Sequence, residues 1–314
     1  MISVALCTYN GERYIRQQLD SILSQSLPVD EIVIFDDKSD DETFCVLKQY
    51  GLKNSQIRLF QNEENIGYKK NFERALLACQ GDYIFFSDQD DIWDLYKVEK
   101  AVDYLKRTKM MGAFTNALLI DGQNNRIGHS LFSIKKLNLY IDNGVLPESL
   151  FPLLCLKGNF VTGATLVITK EAKELVLPFK ISKFLVHDQW IALKLASISK
   201  LGYLNETLIS YRIHDGQQIG VSLSNVNQRE NLLDCFMAKG NCRDLLHMRK
   251  LTAYILFLCN FSDESKKILF RTYKMLYFNN MKGNFLERSA DFLIFLFMES
   301  FVFLQSKIGY GLRK

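Results

Sequence analysis

Ser87-Asp88-Gln89-Asp90-Asp91-Ile92-Trp93 closes an apolar run, Tyr83-Ile84-Phe85-Phe86, that enters from the turn signal Gly81-Asp82. The run reads as a buried strand. Three carboxylates within four residues at the end of such a strand repel one another and need a counter-charge. A divalent cation supplies one, because hard cations take oxygen ligands. An isolated Asp-x-Asp is commonly a solvated acidic turn. What separates this one from that reading is the polar groups the rest of the chain places beside it.

Upstream of the cluster, strand and helix alternate. Ile2 to Cys7 is an apolar run that ends in Thr8-Tyr9-Asn10-Gly11, and Ile15, Leu19, Ile22 and Leu23 then form one apolar helix face, closed by Pro28. Glu31 to Phe35 is a second strand, ending in Asp36-Asp37. Ser39 or Asp40 is expected to cap the next helix, which carries Phe44, Leu47 and Tyr50. Ile57 to Phe60 is a third strand, Tyr68 to Cys79 a third helix, and Tyr83 to Phe86 the fourth strand. This alternation predicts an α/β fold with a mainly parallel central sheet and right-handed crossovers.

In open parallel sheets, ligands bind outside the carboxyl ends of the strands. Thr8-Tyr9-Asn10, Asp36-Asp37 and Asp88 to Asp91 would all line that edge. Tyr9 offers a face on which a nucleobase can stack, and Asp37 an acceptor for a base N–H. The acidic cluster suits a metal bridging a diphosphate. Neither G-x-G-x-x-G after the first strand nor G-x-x-x-x-G-K-[ST] occurs, which argues against a dinucleotide dehydrogenase or a P-loop enzyme.

Composition sets the outer bounds. A chain of 314 residues, 48% hydrophobic and 24% charged, builds one large domain with an appendage or two domains. A net charge of +4 gives no argument for nucleic acid as a partner. Seven cysteines without a Cys-x-x-Cys pair fit reduced thiols in a cytoplasmic protein. The N-terminus runs straight into a strand with no signal peptide, and no apolar run reaches the length of a membrane span.

Cys7-Thr8-Tyr9-Asn10-Gly11-Glu12-x-Tyr14-Ile15, Asp36-Asp37-x-Ser39-x-Asp41-x-Thr43, Asn65-x-Gly67 with Asn71, and Asp88-x-Asp90-Asp91 follow one another across roughly the first hundred residues. In order and spacing they resemble the bacterial glycosyltransferase family 2 pattern. The resemblance implies a GT-A fold, a nucleotide-sugar donor, Mn²⁺ or Mg²⁺, and inversion at the anomeric carbon. It implies nucleotide-binding roles for Thr8, Tyr9, Asn10, Glu12, Asp37, Asn65, Lys70 and Asp88, and a metal ligand at Asp90. The wording of Ser87 to Trp93 and of His187-Asp188-Gln189-Trp190 is similar to that of rhamnosyltransferases using a dTDP-linked donor.

Beyond the cluster, Gly112 to Ile120 reads as a strand, and His129 to Leu156 as a loop region with short helices. Gly158 to Ala164 leads into a strand over Thr165 to Ile168; in the resembled family such a block lies beneath a sugar. Asp188 opens a helix, where a carboxylate can cap free N–H groups. It also stands where the resembled family carries its catalytic base, and both readings remain open. Leu208 to His214 is a further strand. His214 is either structural or, as the resemblance implies, a metal ligand, and Arg212 and His214 would share a face.

A catalytic domain over 1–220 is thus expected, followed by a helical region over 221–314. Leu251, Tyr254, Ile255 and Leu258 have helical spacing, as do Leu269, Tyr273 and Leu276. Phe292 to Leu304, about a dozen residues, packs on the catalytic domain, joins two copies in a homodimer, or lies on the inner face of the cell membrane. The acceptor implied is a glycan or lipid-linked glycan. The alternatives are a nucleotidyltransferase and a non-catalytic nucleotide-sugar-binding subunit.

Overall fold

The computed structural model describes residues 1–135, 137–138, 141, 150–179, 185–215 and 217. The first strands form where apolar runs can be covered on both faces by helices. In β1 (Ile2–Thr8) all seven residues are buried, the mark of a central parallel strand. α1 (Ile15–Leu23) buries Ile15, Leu19 and Ile22 against the sheet. β2 (Glu31–Asp36), α2 (Thr43–Lys53), β3 (Ile57–Gln61), α3 (Tyr68–Ala78) and β4 (Tyr83–Ser87) complete the alternation.

β1, β2, β3 and β4 pair in parallel in the order β3-β2-β1-β4. The chain moves outward from β1 to β3, then crosses back to place β4 on the other flank of β1. That reversal opens a crevice between the carboxyl ends of β1 and β4, where ligands bind in open α/β sheets. Tyr9 and Asp88 stand at its two lips.

The other half of the sheet is mixed. β5 (Ile92–Trp93), α4 (Lys97–Thr108), β6 (Gly112–Ile120), β7 (Arg126–Ser130) and α5 (Leu131–Ile134) come first. β8 (Leu166–Thr169), α7 (Lys170–Val176), α8 (His187–Ser197) and β9 (Leu201–Arg212) follow α6 (Leu150–Lys157). The order continues as β4-β8-β6-β9-β5, with β7 on β6. β8 is antiparallel to both β4 and β6, whereas β6 and β9 are parallel.

Three local expectations change. β9 starts at Leu201, ahead of Leu208, because exposed Asn205, Glu206 and Thr207 interrupt its apolar pattern without ending the strand. A 3-10 turn, Gly163–Thr165, delays β8 by one residue. Neither Ser39 nor Asp40 caps α2; the Asp41 carboxylate accepts from both the N–H and the hydroxyl of Thr43. Ser39 turns back to Asp36 instead, 2.6 Å away.

The chain divides into two compact units, residues 1–150 with 159–229, and residues 151–158 with 230–314. Of the second unit the described part is residues 151–158, within and just after α6. The helices expected beyond residue 220, and with them the membrane-surface and dimer readings, lie outside the described residues. Among the described residues no helix is long and apolar enough to cross a membrane.

Candidate active site

Thr8, Tyr9, Asn10, Asp37, Asp88, Asp90 and Asp188 line one cavity of about 490 Å³ in the first unit. They come from the ends of β1, β2 and β4 and from the start of α8. Thr8 is held by its hydroxyl on Asp36, 2.8 Å away. Asn10 takes a left-handed φ of 50° and is pinned from the β2–α2 loop, its side-chain carbonyl accepting the Asp40 N–H at 2.8 Å. The Tyr9 peptide is gripped by Gln89, whose Oε1 accepts its N–H at 2.7 Å and whose Nε2 donates to its C=O at 2.9 Å.

Asp37 is buried, and its carboxylate accepts from Asn62 Nδ2 (2.7 Å), Ile66 N (2.9 Å) and Gly67 N (2.8 Å). It therefore fixes the β3–α3 loop as well as facing the cavity. Three other expected residues stand off the wall. Glu12 is exposed and accepts the Glu42 N–H at 3.0 Å; Asn65 is exposed and accepts the Gly67 N–H at 3.1 Å; Lys70 is exposed.

The acidic turn is backed by buried cations. Burial, then the charges of Asp90 and Asp188, push the Asp88 carboxyl up to about 7. Asp91, 1% exposed, is likewise raised by burial and by its acidic neighbours. One of its oxygens accepts the Arg212 N–H at 3.0 Å, and the other has no partner among the described residues. Lys97, also 1% exposed, donates to the Ala164 carbonyl at 2.7 Å and sits 3.8 Å from the Trp93 ring centroid. Burial pushes it down to about 7, against the pull of Asp91 and Asp88.

Arg212 and His214 both turn to Asp90, as their alternation predicts. Arg212 Nε donates to the Asp90 carbonyl at 2.6 Å, and His214 Nε2 lies 2.9 Å from Asp90 Oδ2. Among the described residues no group of three or more His, Cys, Asp or Glu side chains is arranged to hold an ion. Asp90 and His214 would supply two ligands at a turn whose carboxylates repel one another. That fits a hard cation that takes its other ligands from phosphate oxygens and water.

At the far wall, Asp188 is the second residue of α8. Its Oδ1 accepts from Asn159 Nδ2 at 3.0 Å and from Gln189 N at 2.6 Å, and its Oδ2 accepts from Gly163 N at 3.1 Å. The N-cap is Val186, with no side-chain bond. Asp188 is thus a first-turn acid rather than the N-cap residue; it accepts one free N–H of α8, from Gln189, and is also held by the 159–163 segment. The segment expected beneath a sugar lines the cavity too, through Asn159, Thr162 and Gly163.

Gln89, Tyr68 and His187 also line the cavity, beyond the residues expected there, and the bond of Asn159 to Asp188 adds a role to a segment that was expected. The Tyr68 phenol is pushed up to about 12 by burial and by the Asp188 charge, so it stays protonated beside the carboxylate. His187 is buried, and burial lowers its pKa. Only the neighbouring Asp188 gave a signal for it.

Residues 3–158 match the family model described as Glycosyl transferase family 2. An uncharacterised glycosyltransferase of Rickettsia typhi is 28% identical over 254 residues, 80% of this chain and 76% of its own. The putative teichuronic acid biosynthesis glycosyltransferase TuaG of Bacillus subtilis is 28% identical over 213 residues, 68% of this chain and 79% of its own. S. aureus TarS 1-349, solved with UDP-GlcNAc, superposes with a TM-score of 0.54 at 18% identity, covering 86% of this chain and 70% of that one. The mannosyltransferase PcManGT from Pyrobaculum calidifontis, solved with GDP-Man and Mn²⁺, also gives 0.54, at 14% identity, covering 100% of this chain and 88% of that one. At such identities the superpositions show the fold alone, a GT-A arrangement.

Proposed function

From the premise that this chain is a family 2 glycosyltransferase, carrying the family's domain over residues 3–158, we propose that it moves one sugar from a nucleoside-diphosphate donor to an acceptor hydroxyl with inversion. The observation that carries this reading is the meeting of seven expected residues, spread from Thr8 to Asp188, around one cavity. Tyr9 and Asp37 take the nucleoside at the β1 and β2 ends. Asp88 and Asp90 face the diphosphate, and Asp90 with His214 would hold Mn²⁺ or Mg²⁺. When bound, the cation supplies Lewis-acid stabilisation of the diphosphate.

Asp188 is the base. Its carboxylate, oriented by the Gly163 N–H and Asn159, takes the proton of the acceptor hydroxyl as that oxygen bonds to the anomeric carbon. The bond from that carbon to the diphosphate breaks as the new one forms on the opposite face, which inverts the configuration. The hydroxyl belongs to a growing cell-surface glycan, free or lipid-linked; the likeness to TuaG supports a polysaccharide product. Free thiols at Cys7, Cys45 and Cys79 support a reducing, cytoplasmic setting. The finer reading, rhamnose from a dTDP donor, rests on the wording of Ser87 to Trp93 and His187 to Trp190.

Thermal stabilisation by a panel of dTDP-, UDP- and GDP-sugars with Mn²⁺ tests the proposal, since a ligand of the native state raises its melting temperature. One donor class should stabilise, and excess chelator should remove the effect. No stabilisation by any member overturns the reading, and stabilisation by UDP- or GDP-sugars alone overturns the rhamnose assignment.

A further inference from the structure

Gln89 stands between Asp88 and Asp90, yet its side chain leaves the acidic turn and closes a two-way hydrogen bond on the peptide of Tyr9. The contact joins residues 80 positions apart, across the crevice between β1 and β4. Gly11 is shaped around it: a methyl there would overlap Cδ and Oε1 of Gln89. The rest of the Tyr9 turn is tied to the β2–α2 loop. Asn10 N donates to Ser39 Oγ at 2.9 Å, Gly11 N to Thr43 Oγ1 at 2.7 Å and Glu12 N to Asp41 Oδ2 at 3.1 Å. Gln89 is therefore the tie that reaches this turn from the acidic cluster.

We propose that Gln89 is a positioning residue that sets the separation between Tyr9 and the Asp88–Asp90 pair, and so matches the site to a ligand spanning both, a nucleoside diphosphate. This rests on the reading that the donor is a nucleoside-diphosphate sugar. A nucleoside monophosphate reaches only one of the two anchors firmly, so it gains little from their spacing. A diphosphate touches both at once and loses affinity when either can drift. The two hydrogen bonds fix the Tyr9 peptide through its backbone N–H and C=O and leave its ring to face the cavity.

The test uses the full chain, with dTDP, UDP and GDP and the matching monophosphates titrated calorimetrically in the presence of Mn²⁺. Gln89→Met keeps the volume beneath Gly11 and removes both hydrogen bonds. It should weaken the best diphosphate about tenfold, the scale of two neutral hydrogen bonds, and leave its monophosphate within about twofold. Gly11→Ala, which displaces the Gln89 amide from the other side, should give the same selective loss. Unchanged diphosphate affinity in either variant, or equal weakening of both nucleotides, overturns the positioning role. Failure of all three diphosphates to bind the unaltered protein overturns instead the donor reading on which it rests.

Discussion

The imidazole of His187 lies flat against the ring of Phe72, centroids 4.2 Å apart and planes at 21°, and neither of its nitrogens has a hydrogen-bond partner among the described residues. Phe86, Phe179 and Tyr68 also flank it, at 6.1, 6.4 and 6.1 Å. Such a ring is kept neutral by burial, which lowers its pKa from the ordinary histidine value.

The share of stability contributed by this group should therefore fall in mild acid, opposed by the raised carboxyls of Asp88 and Asp91, which take up protons more readily in the folded chain. The unfolded chain binds a proton at this histidine below a pH of about 6.5, while the folded chain resists it until lower pH. Stability from this group is thus present above that value and lost as pH falls through it, by at most about 1.4 kcal/mol per pH unit. Urea denaturation between pH 8 and 5 reads the net slope, and His187→Leu should shift it toward greater stability in acid whatever it does to packing. An unchanged slope would show that another group titrates.

Asp188→Asn should lower turnover by about two to four orders of magnitude, the usual scale of general-base catalysis. It should not leave the fold untouched, because an amide N–H₂ then faces the Gly163 N–H or Asn159 Nδ2. Asn159→Ala is the control, removing one donor while keeping the carboxylate. Nucleotide release and melting temperature are measured for both. Turnover that simply follows melting temperature across the two variants rules out the base.

Asp37→Ala should weaken nucleotide binding at least about tenfold, since it removes a carboxylate whose hydrogen bonds each contribute at the charged-group scale. It should also free the N–H groups of Ile66 and Gly67. Amide hydrogen exchange at those two positions, beside calorimetry, separates the roles. Faster exchange with unchanged nucleotide affinity would confine Asp37 to the loop.

Arg212→Lys should destabilise the protein by about 2–4 kcal/mol, because an ammonium cannot reproduce a planar fork of donors. The guanidinium is 0% exposed and donates to the Asp90 and Asp121 carbonyls, Asn124 Oδ1 and Gln17 Oε1, with its carbon 4.4 Å from the Tyr14 ring centroid. Equilibrium denaturation checks it. A variant within about 0.5 kcal/mol of the parent, the range of ordinary surface substitutions, would mean that water replaces those bonds.

The parallel half of the sheet was legible because each of its strands is a short apolar run closed by polar residues, and each helix carries one apolar face. The cavity wall followed from the same pattern, since strand ends in a parallel sheet share an edge. β5 escaped because Ile92–Trp93 is too short to show a period, and the start of β9 because its exposed Asn205 to Thr207 resemble a loop. The roles of Gln89, and of Asn159 within its expected segment, escaped for a different reason. Both residues act through backbone groups and one carboxylate far away in sequence, and an amide between other polar residues carries no pattern. Glu12, Asn65 and Lys70 matched a motif whose spacing says nothing about which side of a turn a side chain takes.

The place of β8 has a consequence for how the protein comes into being. Residues 1–91 already contain the strand ends that carry Tyr9, Asp37 and Asp90, and their pairings are all parallel. The strand that flanks β4 on its other side arrives only at Leu166–Thr169, running the opposite way, and Asp188 later still. During synthesis, then, the strand ends that carry Tyr9, Asp37 and Asp90 emerge before the strand that flanks β4 and before Asp188 on the cavity's far wall.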